Sequence, residues 1–284
     1  MIIPVFPNGK EKCLTLSYDD GVTQDRKLVE ILNKYGIKCT FNLNSGAFGL
    51  TGTANGPFVK ETTHNKIEAS EVSELYKGHE VAVHSLTHPH LEYLTCENIA
   101  YEIRTDKEKL EKLVGYPITG MAYPFGTYSS TLIEELKKAG IKYARTVVQT
   151  NEFIIPKDFL EWHPTCHFGE KNMQSLVDRF LDAKKDSDYR GYLKVFYVWG
   201  HAYELDGCET WDLMEDFCKQ LSNKEDVWYA TNGEIVEYYE AWQRLIWSED
   251  KSMVTNPSAL SVWIEADGEV MEIPGGSMKK ICSL

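Results

Sequence analysis

The sequence predicts an α/β protein: a parallel, closed or nearly closed β/α barrel of seven strands with a small β appendage behind it. Three observations predict it. Seven short β-prone runs alternate with segments whose apolar residues recur at three- and four-residue steps. Some of these runs stop abruptly on polar residues suited to chemistry, the first of them on Asp19-Asp20-Gly21. Beyond Trp247 the helical periodicity gives way to strict alternation.

In chain order, Cys13 to Tyr18 is the first strand. Thr23 is the expected N-cap of a helix through Leu28, Ile31, Leu32 and Tyr35, closed by Gly36. Residues 37–43 form the second strand. The stretch 44–68 is rich in Gly, Thr and Asn without periodicity, and reads as a lid-like loop or an insertion. A short helix at 71–77 delivers a third strand at 80–83. A long helix at 96–114 then gathers Ile99, Ile103, Leu110 and Leu113 on one side. Strands at 117–123 and 141–148 flank a helix at 130–139. A helix at 172–183, a strand at 193–199, a helix at 211–221, a strand at 227–230 and a helix at 233–245 complete the barrel. Val262, Ile264 and Ala266 alternate up to Asp267-Gly268, a hairpin signal, and Val270, Met271 and Ile273 follow. The expected division is a barrel over 1–249 and a β appendage over 250–284, too small to hold a core alone and so docked on the barrel.

Composition narrows the function. The 284 residues can bury about three quarters of their unfolded surface, enough for one barrel. A net charge of -13 argues against nucleic acid or an anionic membrane as the main partner. No apolar run approaches the ~20 residues of a membrane span. Residues 1–10 carry two prolines, a glycine and no long apolar core, so no signal peptide is expected. Seven scattered cysteines without a CxxC pair read as reduced thiols, and the expected location is cytoplasmic. The oligomeric state is not legible.

The strand ends carry the chemistry. Adjacent acids at Asp19 and Asp20 repel unless a cation or shared proton relieves them, and they point in different directions, which lets them divide their work. An Asp-Asp-Gly turn also serves as a simple helix entry. His84 and His88 follow the third strand at i and i+4, so one helical turn would set both imidazoles on one face. Two imidazoles and one carboxylate leave coordination positions open, the catalytic kind of metal site. His201 follows the sixth strand, and Tyr123-Pro124-Phe125-Gly126 makes a turn able to aim a backbone N–H into a pocket. In a β/α barrel these strand ends share one face, where active sites are built.

Asp19-Asp20-Gly21, His84-xxx-His88, the Tyr123–Gly126 turn and the strand ending in His201 occur in this order over about residues 10–245. Together they resemble the NodB-homology polysaccharide deacetylases, carbohydrate esterase family four. The resemblance implies a distorted (β/α)7-type barrel and one divalent ion, zinc first, with cobalt, nickel or manganese also suited to such ligands. The implied reaction is removal of acetyl groups from N-acetylated saccharides. It makes Asp19 the general base, His201 the general acid, and Asp20, His84 and His88 the metal ligands, with the Phe125 N–H on the oxyanion.

Two departures stand out. Ala122 occupies the family arginine position, and no Asp-Trp-type motif is evident near Glu161-Trp162-His163-Pro164-Thr165-Cys166-His167. Arg145 is the candidate replacement cation, and His163 or His167 the candidate partner of His201; each equally suits a surface position. Tyr123, Trp162, Trp199 and Tyr203 are candidate substrate contacts, although aromatics in strands and at strand ends more often belong to a core. Three readings stay open: a saccharide deacetylase, a hydrolase of a small non-sugar amide such as a cyclic imide or ureide, and a catalytically silent carbohydrate-binding barrel.

Overall fold

The computed structural model describes residues 2–56, 59–183 and 193–281; Cys282 and the end of the expected appendage lie outside them. The strands are β1 (Ile2–Val5), β2 (Lys12–Asp19), β3 (Cys39–Leu43), β4 (Thr53–Ala54), β5 (Thr62–Thr63), β6 (Glu80–Val83), β7 (Gly120–Ala122) and β8 (Tyr143–Arg145). They continue as β9 (Cys166–His167), β10 (Lys194–His201), β11 (Val227–Tyr229), β12 (Ile246–Trp247), β13 (Met253–Thr255), β14 (Val262–Ala266), β15 (Glu269–Ile273) and β16 (Met278–Lys280). The helices are α1 (Asp25–Tyr35), α2 (Val72–Leu75), α3 (Cys96–Val114), α4 (Ser130–Lys138), α5 (Met173–Asp182), α6 (Ala202–Gly207), α7 (Trp211–Leu221) and α8 (Asn232–Gln243). Among the described residues no helix is long and apolar enough to cross a membrane.

The central sheet runs β8-β7-β6-β3-β2-β10-β9, with β11 also paired to β2, and all its described pairings are parallel. Strand β2 is buried along its whole length, as a central parallel strand must be. Its alternation divides the interior. Leu14, Leu16 and Tyr18 enter the larger apolar core, whereas Thr15, Ser17 and Asp19 bond Asn232, Asn42 and Asn42 respectively. β10 pairs β2 from Lys12 to Asp19, and this register sets His201 directly beside Asp19. β3 takes Leu16–Asp19 of β2 while β11 takes only Lys12–Leu14, which distorts the barrel. Trp162 bridges to Arg145 of β8 and Cys166–His167 pairs with Val198–Trp199, so the segment 162–167 links the two ends of the sheet.

Local rules explain most boundaries. Thr95 caps α3 by accepting from Asn98 N–H at 3.4 Å, and Gly115 closes it at φ 78°. Gly36 closes α1 in the left-handed region. Thr23 does not cap α1: the helix starts at Asp25 behind Gln24, with no side-chain cap. The short β9 and α6 follow no sequence signal read above. The aperiodic stretch after β3 contains an antiparallel pair of two-residue strands, β4 and β5, and just beyond it Lys66 bridges to Val22, past the end of β2.

The C-terminal hairpin β14–β15 turns on Asp267 and Gly268, both at positive φ. β1 pairs antiparallel with β14, so residues near the N-terminus complete the appendage sheet. β12 likewise pairs β13, so strand pairing crosses the expected 249/250 division. A second apolar cluster joins Tyr197, Ile235 and Tyr238 of the barrel to Val254, Val262 and Ile264. The Tyr238 hydroxyl fastens this junction, donating to Val5 O at 2.5 Å and accepting from Trp263 N–H at 2.9 Å.

Candidate active site

Asp19 ends β2 with its side chain buried. One oxygen accepts from Asn42 Nδ2 at 2.8 Å, and the other pairs with the guanidinium of Arg145, which is 0% exposed. Burial pushes the Asp19 carboxyl up, but Arg145, then His84 and His201, outweigh it and hold it below the usual range. Arg145 in turn lies over the Trp199 ring at 4.4 Å. The cation absent at Ala122 is therefore supplied from β8.

Alternation alone would turn Asp20 away from Asp19. Asp20 instead takes φ 83° and Gly21 φ 62°, so both acids reach the same cleft. Burial opposes ionisation of Asp20, yet a hydrogen bond from His64, followed by the charge of Lys66, holds it well below the usual range.

His84 and His88 lie together, their ring centroids 4.8 Å apart. The expected helical turn is absent. The stretch is a loop in which Ser85 (φ 66°) and His88 (φ 60°) are left-handed, each conformation costing about 1–3 kcal/mol. Helix α3 holds that loop. Asp106 accepts from His84 N–H at 3.2 Å and Ser45 N–H at 2.7 Å, and Glu102 accepts from Thr87 N–H at 2.9 Å. His84 Nδ1 lies 2.8 Å from Ala122 O; a carbonyl only accepts, so Nδ1 carries the proton and Nε2 keeps its lone pair. Burial holds the His84 ring down at about 4 and lowers His88, so both are neutral at pH 7. Donor atoms of Asp20, His84 and His88 all lie within 4.8 Å of one another.

His201 faces this set, its Nε2 3.9 Å from Asp19 Oδ2. Its Nδ1 lies 3.1 Å from Glu204 Oε1, and the other Glu204 oxygen meets His167 Nε2 at 2.8 Å. Burial alone would lower His201; the hydrogen bond and charge of Glu204 more than reverse this and hold it up at about 9. His201 is therefore protonated at neutral pH, and its protonated form is lost as pH rises through about 9. Glu204→Gln should move the alkaline limb of the pH–rate profile to lower pH, since it removes the charge that retains the proton. An unmoved limb would detach His201 from that limb.

The remaining candidates separate. His167 acts one step back, on Glu204 rather than on His201, whereas His163 bonds Thr146 Oγ1 at 2.6 Å. Trp162 is 0% exposed and packs on Tyr143, Phe159 and Tyr197, so it offers no face to a ligand. Tyr123 is also interior, its hydroxyl donating to Leu160 O at 2.8 Å. Trp199 is half-buried beneath Arg145 and beside His167 and His201. Phe125 (φ 59°) is 50% exposed and stacks on His90 at 3.9 Å, next to His88. Tyr203 lies against His201 and His64. Sequence reasoning missed Glu102, Asp106, Glu204, His64 and Lys66. Only the first two left a signal: they fall on the apolar stripe Ile99, Ile103, Leu110, where acids need a buried reason to be.

A family model described as polysaccharide deacetylase matches residues 7–144. Over 137 residues the chain is 26% identical to the peptidoglycan-N-acetylglucosamine deacetylase PgdA of Listeria monocytogenes, covering 47% of this chain and 26% of that protein. It is 23% identical over 137 residues to Bacillus subtilis YxkH, a candidate polysaccharide deacetylase by name, covering 48% and 45%. The chain thus spans less than half the length of these curated relatives. Among solved structures, a Mycobacterium smegmatis candidate polysaccharide deacetylase superposes with TM-score 0.62 at 16% identity, over 85% of this chain and 94% of that one. The Xyl-CE4 domain of a multidomain xylanase from the hindgut metagenome of Trinervitermes trinervoides gives 0.52 at 20% identity, over 81% and 92%. These two share the fold, the parallel half-barrel of the NodB type. Over residues 7–144 the chain is therefore similar to the polysaccharide deacetylases, and it shares their NodB-type fold.

Proposed function

We propose that the chain is a metal-dependent hydrolase that removes acetyl groups from N-acetylated saccharides. The convergence of Asp20, His84 and His88 beside Asp19 and His201 carries this reading. The donor set fits a divalent ion: two neutral imidazoles, one with its ligating lone pair freed by Ala122 O, and an ionised carboxylate. Zinc suits these nitrogen and oxygen donors, as do cobalt, nickel and manganese. When bound, the ion polarises the acetyl carbonyl and acidifies the attacking water.

The chain's own groups do the rest. Asp19, held ionised by Arg145 and Asn42, accepts the proton of the attacking water. The Phe125 N–H, on a turn closed by Gly126 N–H to Tyr123 O at 2.9 Å, is assigned to the developing oxyanion. His201, held protonated by Glu204, gives its proton to the leaving nitrogen as the C–N bond breaks. The substrate test is acetate release from N-acetylated oligosaccharides alongside cyclic imides and ureides. Turnover of the oligosaccharides alone is expected, and turnover of a cyclic imide or ureide alone would overturn the saccharide assignment.

A further inference from the structure

The stretch between β3 and α2 carries two groups that no family motif accounts for, and both converge on Asp20. His64 Nε2 lies 3.1 Å from Asp20 Oδ2. Lys66 Nζ lies 3.2 Å from Asp20 Oδ1 and donates to the Asp20 carbonyl at 2.8 Å. All three side chains are largely withdrawn from solvent, at 25% for His64, 11% for Lys66 and 12% for Asp20.

This stretch is fixed as a strap. Thr23 N–H bonds Asn65 O at 2.8 Å, Ile67 N–H bonds Gly21 O at 2.9 Å, and Gln24 Nε2 bonds Thr63 O at 2.8 Å. Further along, Lys60 N–H bonds Gly207 O at 3.1 Å, where any side chain on Gly207 would meet Val59 at 2.3 Å. His64 also sets its ring edge-on to Tyr203 at 4.8 Å, and Tyr203 leans on His201. The strap therefore presents its two groups to Asp20 in one geometry.

The two groups differ in what they do to a cation on Asp20. A carboxylate only accepts, so His64 Nε2 carries the shared proton; it orients Asp20 as a hydrogen-bond donor and is not itself a ligand through that atom. Lys66 places an ammonium on the same carboxylate that must bind the metal. Two positive charges sharing one partly buried carboxylate repel with little screening. We infer that the strap tunes metal affinity in opposite directions, His64 strengthening it by orienting Asp20 and Lys66 weakening it by competing for Asp20. The site is thereby preformed, with its acid already countercharged. This inference rests on the proposed metal role of Asp20, His84 and His88.

The test is zinc affinity, measured by competition with a chromophoric chelator on purified protein. Lys66→Gln keeps a donor for the Asp20 carbonyl and removes the charge; it should bind zinc about tenfold more tightly, or more. Lys66→Met serves as a second uncharged variant. Lys66→Arg, which keeps the charge, should stay near wild type. His64→Ala should bind about 10–100-fold more weakly, with recovery in His64→Gln. Zinc should also raise the melting temperature of Lys66→Gln by more than that of wild type. Unchanged or weaker affinity in both uncharged Lys66 variants, with wild type binding one zinc, would overturn the strap inference alone. Wild-type protein that binds no zinc would overturn the proposed metal site, and the inference with it.

Discussion

His201→Ala should slow hydrolysis of an N-acetyl sugar by about 10²–10⁴-fold, the range for loss of a positioned acid. Amide cleavage expels an amine, a very poor leaving group unless it is protonated as the bond breaks. An activated aryl acetate expels a phenolate, which needs far less help, so the same variant should lose much less on that substrate. Bound metal should not change, because His201 Nδ1 faces Glu204 and its ring is outside the Asp20, His84, His88 set. Kinetics on both substrates, with elemental analysis, check this. Equal losses on the two would return His201 to a packing role at the end of β10.

Asp19→Asn should abolish turnover, by about 10³-fold or more, because an amide cannot accept the proton of the attacking water. Metal content should remain, since Asp19 is not among the converging donors. A second effect follows from Arg145. Its side chain is 0% exposed, and removing the charge of Asp19 leaves the guanidinium buried without its counterion. Breaking a buried pair from one side costs about 3–5 kcal/mol, so the melting temperature should fall. Adding Arg145→Met should recover stability without recovering activity. Loss of metal in Asp19→Asn equal to that in Asp20→Asn would refute the division of labour between the two acids.

Much of this arrangement was legible because strand ends are legible. The abrupt stop of β2 on Asp19-Asp20-Gly21 and of β10 on His201 is visible in apolar patterning, and parallel pairing brings such ends together. Helix α3 was legible because Ile99, Ile103 and Leu110 recur on one side of it, and the structure closes its ends with Thr95 and Gly115. What escaped was set by register and loop conformation. Trp162 read as a cleft residue because burial of an aromatic at a strand end depends on pairing; its bridge to Arg145 turned it inward. His84 and His88 meet through two left-handed residues, which i, i+4 spacing does not reveal. Glu204 stands three residues beyond His201 in a short helix of ordinary composition, so nothing marked it as the imidazole's partner. His64 and Lys66 sit in an aperiodic stretch placed by hydrogen bonds to Gly21, Thr23 and Gln24, between β2 and α1, and by bonds within the stretch itself.

The most direct measurement is acetate release from an N-acetylated oligosaccharide by protein stripped with a chelator and then titrated with zinc, alongside His84→Ala. Activity should be lost on stripping, return in proportion to zinc up to one ion per chain, and fail to return in His84→Ala. Undiminished acetate release from fully stripped protein, or full reactivation of His84→Ala at the same zinc concentration, would contradict the metal-dependent site.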